Sequence, residues 1–168
     1  HTHGDHVGGL VAKDGSAVFP NATVHAGKAD VDAARGKPND PFAPYAAAKH
    51  LQPIEGAGEL VPGVRAWPTP GHTPGHTSYV VESGGQKLVV LGDLIHVAAV
   101  QLDDPSVTVT FDADPKAAEG ERAKVFAQAA KDGALVAAAH LQFPGLGRLR
   151  ANGKGWVFVP ASYVPSIK

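Results

Sequence analysis

The first six residues, His1-Thr2-His3-Gly4-Asp5-His6, constrain this chain more than any other stretch. Three imidazoles and a carboxylate fall within one hexapeptide. A purification tag would be a homopolymer of histidine, and this is not one. In an extended segment His1 and His3 point the same way, so both can face one ion. Asp5 and His6 fall where the chain turns into a helix, and they can face a second. Imidazole nitrogen and carboxylate oxygen suit zinc and similar borderline divalent metals. A fold that uses this hexapeptide must bring further ligands to it from distant sequence.

Composition bounds that fold. At 168 residues and 43% apolar content, the chain suits one globular domain. The formal charge of -1 and the 7% aromatic content support neither a nucleic-acid partner nor an anionic membrane partner. No apolar run approaches the length of a membrane span. The absence of cysteine removes disulfides, thiolate metal sites and a cysteine nucleophile together. With 20 glycines and 14 prolines spread along it, the chain reads as many short elements joined by turns.

The pattern predicts strands at 64–67, 78–82, 87–91, 107–111 and 134–139. The second and third pair across Gly84-Gly85, and the last reads as buried on both faces. A helix starts at Asp114-Pro115 and stops before Gly133, and shorter helices are expected near 7–12, 27–35 and 44–50. The stretch 36–44 reads as a loop. Mixed elements throughout give an α/β (α+β) fold class. Three further metal-ligand candidates sit at strand ends, where rigid elements fix a ligand and loops leave one side open. They are His72 in Gly71-His72-Thr73-Pro74-Gly75-His76, Asp93 in Leu91-Gly92-Asp93, and His140 after the apolar run. His25 and His50 read as ordinary surface or core residues.

Together, HTHGDH, GHTPGHT, LGD and the late AAAH resemble the metallo-β-lactamase superfamily, in the family's order over residues 1 to 140. The resemblance implies an αββα sandwich. It implies two divalent ions, zinc first. His1, His3 and His72 would hold one ion, Asp5, His6 and His140 the other, and Asp93 both. A metal-bridging hydroxide is then the nucleophile, with Asp5 and Asp93 the catalytic carboxylates. The family pattern selects His72 over His76 as ligand, and leaves His76 a supporting or structural residue.

The superfamily hosts many chemistries, so the branch is read from departures. A cysteine where Asp93 stands would suit the common β-lactamases, and the chain has none. The diiron branch uses glutamate where His3 stands. Residues 140–147 and 154–160, with 92–96 and 103–108, resemble the methyl parathion hydrolase group, although Arg148 replaces that group's usual histidine. That kinship implies a hydrolase acting on a small-molecule ester, either an organophosphate triester or a lactone. A mononuclear iron sulfur dioxygenase is the alternative within the same superfamily. His96 lies close behind Asp93 and is a candidate pocket residue. Phe42, Tyr45 and Phe143 are candidates for pocket walls, although plain packing is the commoner role of such residues.

The chain opens on His1 and carries no methionine. In the family, a sheet precedes the front motif. The expectation is therefore that residues 1–168 are the C-terminal portion of one domain whose N-terminal part is missing. Such a piece could be catalytically incompetent by itself. The full-length parent would then be the species that forms a homodimer, and an upstream segment would decide any periplasmic or secreted destination.

Overall fold

The computed structural model describes residues 1–162. The hexapeptide runs into a single helical turn, α1 (Gly4–Val7). Two short strands, β1 (Val24–Gly27) and β2 (Leu51–Ile54), pair in parallel, with α2 (Lys28–Ala34) and α3 (Ala43–Ala47) between them. The remaining strands make one seven-stranded sheet in chain order: β3 (Gly58–Val61), β4 (Val64–Pro68), β5 (Thr77–Ser83), β6 (Gln86–Val90), β7 (Leu135–Ala137), β8 (Leu146–Asn152) and β9 (Gly155–Pro160). All neighbours are antiparallel except β6 and β7. That parallel pair needs a crossover. A 3₁₀ turn at Gly92–Leu94, the short α4 (Ala98–Gln101) and the long α5 (Pro115–Lys131) supply it.

The β5–β6 hairpin forms as its sequence dictates. Gly84 and Gly85 take φ of 56° and 74°, which matches a turn with two left-handed positions. The register follows, with Ser83 opposite Gln86 and Tyr79 opposite Val90. α5 is built with equal economy. The Asp114 carboxylate accepts the Ala117 N–H at 3.0 Å and Pro115 takes the first turn. Ala118, Arg122, Val125, Phe126 and Ala129 then recur on one buried stripe. The stripe lies on the sheet face that carries Val80, Val89, Val136, Leu149, Trp156 and Phe158. Phe126 and Trp156 meet edge to face, with centroids 6.1 Å apart. Full burial of Phe126 contributes roughly 2–3 kcal/mol. The opposite face presents Tyr79, Val81, Leu88, Val90, Leu135 and Ala137, all half-buried.

Several expectations need correction. Residues 107–111 form no strand, despite alternating Val107, Val109 and Phe111. Their backbone is claimed elsewhere: Arg122 takes the Val107 carbonyl, and the Asp112 carboxylate takes the Val109 N–H. The helix expected at 7–12 stops at Val7, where Gly8 follows, and Val11 pairs instead with Ala17. The helix expected at 44–50 ends at Ala47, because Lys49 turns left-handed at φ 61°. The run 134–139 contributes only β7, and its Leu135 and Ala137 are half-buried rather than covered on both faces. Strands β1, β2, β3, β8 and β9 were not anticipated.

Candidate metal centre

Four segments converge at one end of the sheet. The extended start of the chain brings His1 and His3, and α1 brings Asp5 and His6. The β4–β5 loop brings His72. Because β6 and β7 are parallel, their following residues emerge on the same side, which places Asp93 beside His140.

The Asp93 carboxylate is the hub. The Nε2 atoms of His1, His6, His72, His96 and His140 all lie 3.1–3.3 Å from its oxygens. His72 Nε2 stands 3.0 Å from His3 Nδ1. On the other side of the set, Asp5 Oδ2 is 3.4 Å from His6 Nε2 and 3.6 Å from His140 Nε2. Two donors on one tetrahedral zinc, each bound at about 2.1 Å, stand about 3.4 Å apart. The observed separations have that size. Four groups of donor atoms satisfy mutual proximity among the described residues: His1, His3, His72 and Asp93; Asp5, His6 and His140; His72, His96 and Asp112; and Asp93, His96 and His140. The first two divide the expected ligands between two positions. The first is closed in, with His1 and His72 side chains only 2% and 1% exposed. The second is open, with Asp5 60% exposed.

Proximity alone could mean an ion-pair cluster. The hydrogen bonding argues otherwise. His1 Nε2, His6 Nε2 and Asp93 Oδ1 are buried and have no hydrogen-bond partner, although they crowd together. Buried polar atoms are nearly always satisfied, and each exception needs a reason. A cation is the one partner that bare nitrogen lone pairs and a carboxylate can share. The donor set therefore fits divalent metal.

The surroundings hold these atoms in place. The His72 Nδ1–H donates to Asp112 Oδ1 at 2.9 Å, which leaves Nε2 as a lone pair facing the cluster. Burial opposes charge on His72, but the Asp93 and Asp112 carboxylates beside it outweigh burial and raise its pKa. Burial also works against the Asp93 anion, yet the surrounding imidazoles, His72 and His96 first, hold its pKa below the usual carboxylate range. His3 shifts down through burial and the neighbouring His72. Asp30, from α2, accepts the Thr73 hydroxyl at 2.6 Å and the Gly75 N–H at 2.8 Å, which fastens the loop that carries His72.

His76 is not among the converging donors. Its Nε2 accepts the Asp93 N–H at 2.9 Å, so the ring proton sits on Nδ1, which donates to the Thr69 carbonyl at 3.1 Å. The Thr69 hydroxyl adds a 2.8 Å contact. Burial pushes His76 down to about 4, so this tautomer is neutral at neutral pH. Gly92 passes over the same ring at φ 58°, and a Cβ there would lie 2.6 Å from His76 Nε2.

A cavity of about 260 Å³ opens over Asp93, walled by His3, Asp5, His72, His96, Phe111 and His140. His96 thus lines the site, with its ring stacked on His140 at 5.1 Å. Phe111, 70% exposed, is a wall residue that the alternation pattern had assigned to a strand. Phe42 and Tyr45 are corrected: both are buried core residues away from this cavity. Tyr45 instead donates to the Leu10 carbonyl at 2.9 Å and accepts the Phe19 N–H at 3.2 Å. Phe143 is 81% exposed in the loop after His140 and does not line the cavity. His50 binds the Pro20 carbonyl and His25 lies in β1, both outside the cluster. Asp112, Asp30, Thr69 and Arg122 were missed, because nothing in their local sequence marks them as parts of a site.

Residues 1–140 match the model of the metallo-beta-lactamase superfamily, and the chain belongs to that superfamily. It is 34% identical over 91 residues to an N-acyl homoserine lactonase of Bacillus cereus, which is 54% of this chain and 34% of that protein. Two solved structures superpose on 98% of the chain and use 63% of their own length. One is the hydrolase AbOPH of the beta lactamase superfamily, with TM-score 0.88 and 35% identity. The other is AidC, a dizinc quorum-quenching lactonase, with TM-score 0.84 and 28% identity. The matched region is thus about a third of the curated lactonase's length.

Proposed function

We propose that this chain carries the dinuclear metal centre of a hydrolase that cleaves an ester-type bond, with a lactone as the favoured substrate class. The observation that carries the reading is the set of orphaned, converging donors around Asp93. His1, His3 and His72 would hold one ion, Asp5, His6 and His140 the other, and Asp93 both. Bound there, two dications, zinc by donor chemistry, would supply Lewis acidity toward a substrate oxygen and a lowered pKa for bound water.

The chain's own residues do the rest. Asp93, buried and anionic, is the point on which the imidazole nitrogens of His1 and His6 converge. Asp5 Oδ2 stands at the open edge beside His140, where it can take a proton from the attacking water. His96 and Phe111 wall the cavity and give an apolar substituent a surface to lie on. Similarity to lactonases favours the lactone. The segments that resemble the methyl parathion hydrolase group keep a phosphotriester as the second class to assay.

The test is metal analysis combined with a panel of lactones and chromogenic phosphotriesters, using the protein at its full natural length. Two divalent ions per chain, lactone opening, and loss of both activity and one ion in Asp93→Ala are expected. A single iron per chain with sulfur-dioxygenase activity would favour the mononuclear alternative. Full activity in Asp93→Ala would overturn the proposal.

A further inference from the structure

Arg122 is a charged residue on the buried stripe of α5, with no measurable exposure. A guanidinium taken out of water is costly unless it is paired and hydrogen-bonded, and an apolar side chain of similar volume would serve packing at least as well. Its contacts show what it does instead. Nε donates to the Leu94 carbonyl at 2.5 Å, one residue beyond Asp93. One terminal nitrogen donates to the carbonyls of Pro105 at 2.6 Å and Val107 at 2.9 Å. The other stands 3.9 Å from Asp112 Oδ2 and has no hydrogen-bond partner of its own. Asp112 in turn receives the Val109 N–H and holds His72 Nδ1.

One side chain therefore joins the backbone beside Asp93 to the loop that carries Asp112. It pins the backbone beside Asp93, folds the 105–109 loop so that Asp112 reaches inward, and sets a positive charge behind the Asp112 carboxylate. Ligand orientation depends on such outer contacts, and their loss typically costs about 10–100-fold in metal affinity.

We propose that Arg122 is a positioning residue for the metal centre: through the Leu94 carbonyl and Asp112 it fixes Asp93 and His72 in the arrangement that binds metal. The inference rests on the dinuclear reading above. A guanidinium fork is needed for this, because a lysine ammonium supplies the charge but cannot span three carbonyls and a carboxylate at once.

The experiment compares wild type with Arg122→Met, Arg122→Lys, Asp112→Asn and a core control, Val125→Ala, in the protein at its full natural length. Zinc affinity is read by chelator competition, ligand geometry by the visible spectrum of the cobalt(II)-loaded protein, and fold by circular dichroism and thermal unfolding of the metal-free form. Arg122→Met is expected to weaken zinc binding about 10–100-fold and to alter the cobalt spectrum. Asp112→Asn should change the spectrum in the same sense, Arg122→Lys should give partial recovery, and Val125→Ala should lower thermal stability with the spectrum unchanged. Where Arg122→Met does not fold, Arg122→Lys and Asp112→Asn carry the comparison. A wild type that binds metal, with Arg122 variants of unchanged affinity and spectrum, overturns this inference alone. Affinity losses that merely track stability, equal in Val125→Ala, overturn it too. A wild type that binds no metal overturns the dinuclear reading and this inference with it.

Discussion

Replacing His76 with phenylalanine tests how the Asp93 carboxylate is held. The aromatic ring is kept in a somewhat larger, six-membered form, so the change removes polar groups and adds a little bulk. It removes the acceptor for the Asp93 N–H, bonded at 2.9 Å, and the donor to the Thr69 carbonyl, bonded at 3.1 Å. His76 is 1% exposed, so water cannot replace either partner. Each buried group left unsatisfied costs roughly 1–3 kcal/mol, which puts the loss at roughly 2–6 kcal/mol. For a chain of this size that corresponds to a fall in Tm of about 4–24 °C. Thermal unfolding of the metal-free protein by circular dichroism reads the number directly. Metal affinity should drop as well, because the freed amide lets the Asp93 carboxylate wander. His76→Gln should recover part of both, since its carbonyl oxygen can still accept the Asp93 N–H. A His76→Phe protein with wild-type Tm and wild-type metal affinity would refute the reasoning.

Tyr45→Phe, which deletes the hydroxyl that joins Leu10 to Phe19, should lower stability by about 1–3 kcal/mol in urea titration while leaving metal content unchanged. Gly92→Ala should lower both stability and metal affinity, because the new Cβ would sit 2.6 Å from His76 Nε2 on a backbone at φ 58°; calorimetry and chelator competition check it. Acid should weaken the metal-free fold. His76 has a folded value of about 4 against an ordinary 6.5, so the unfolded chain binds the extra proton. Its contribution is present above 6.5 and is lost as the pH falls toward 4, on the order of 3 kcal/mol in total. Denaturant melts across that range should show the loss in wild type and a smaller one in His76→Phe.

The candidate centre was legible in the sequence because its ligands are chemically loud and locally spaced. His1, His3, Asp5 and His6 announce themselves in one hexapeptide, and Asp93 and His140 stand at the ends of apolar runs. The hairpin across Gly84-Gly85 and the helix from Asp114 to Gly133 were legible for the same reason: local turn and cap chemistry decides them. Long-range contacts decided the rest. Val107, Val109 and Phe111 alternate as a strand does, but Arg122 and Asp112 take the backbone groups that a ladder would need. Arg122 looks like any charged helix residue until the fold buries it. The β8–β9 hairpin does leave a trace in the sequence, Asn152-Gly153 between alternating residues. Arg148 and Arg150, exposed on the outer face of β8, disguised that strand. Phe42 and Tyr45 went the other way, since aromatic residues in a proline-rich loop resemble a pocket wall until the loop is seen folded inward.

The donor atoms around Asp93 span positions 1 to 140, and no segment holds more than the first few of them. The centre is therefore a checksum on the fold. An unfolded or clipped chain offers at most the hexapeptide, so tight binding reports that both strands of the parallel pair and the crossover between them are in place. By mass action a bound ion would protect what it reports on: free metal at about 100 times its dissociation constant would add roughly 2.7 kcal/mol against unfolding. Metal supply and the lifetime of the folded chain would then become one variable.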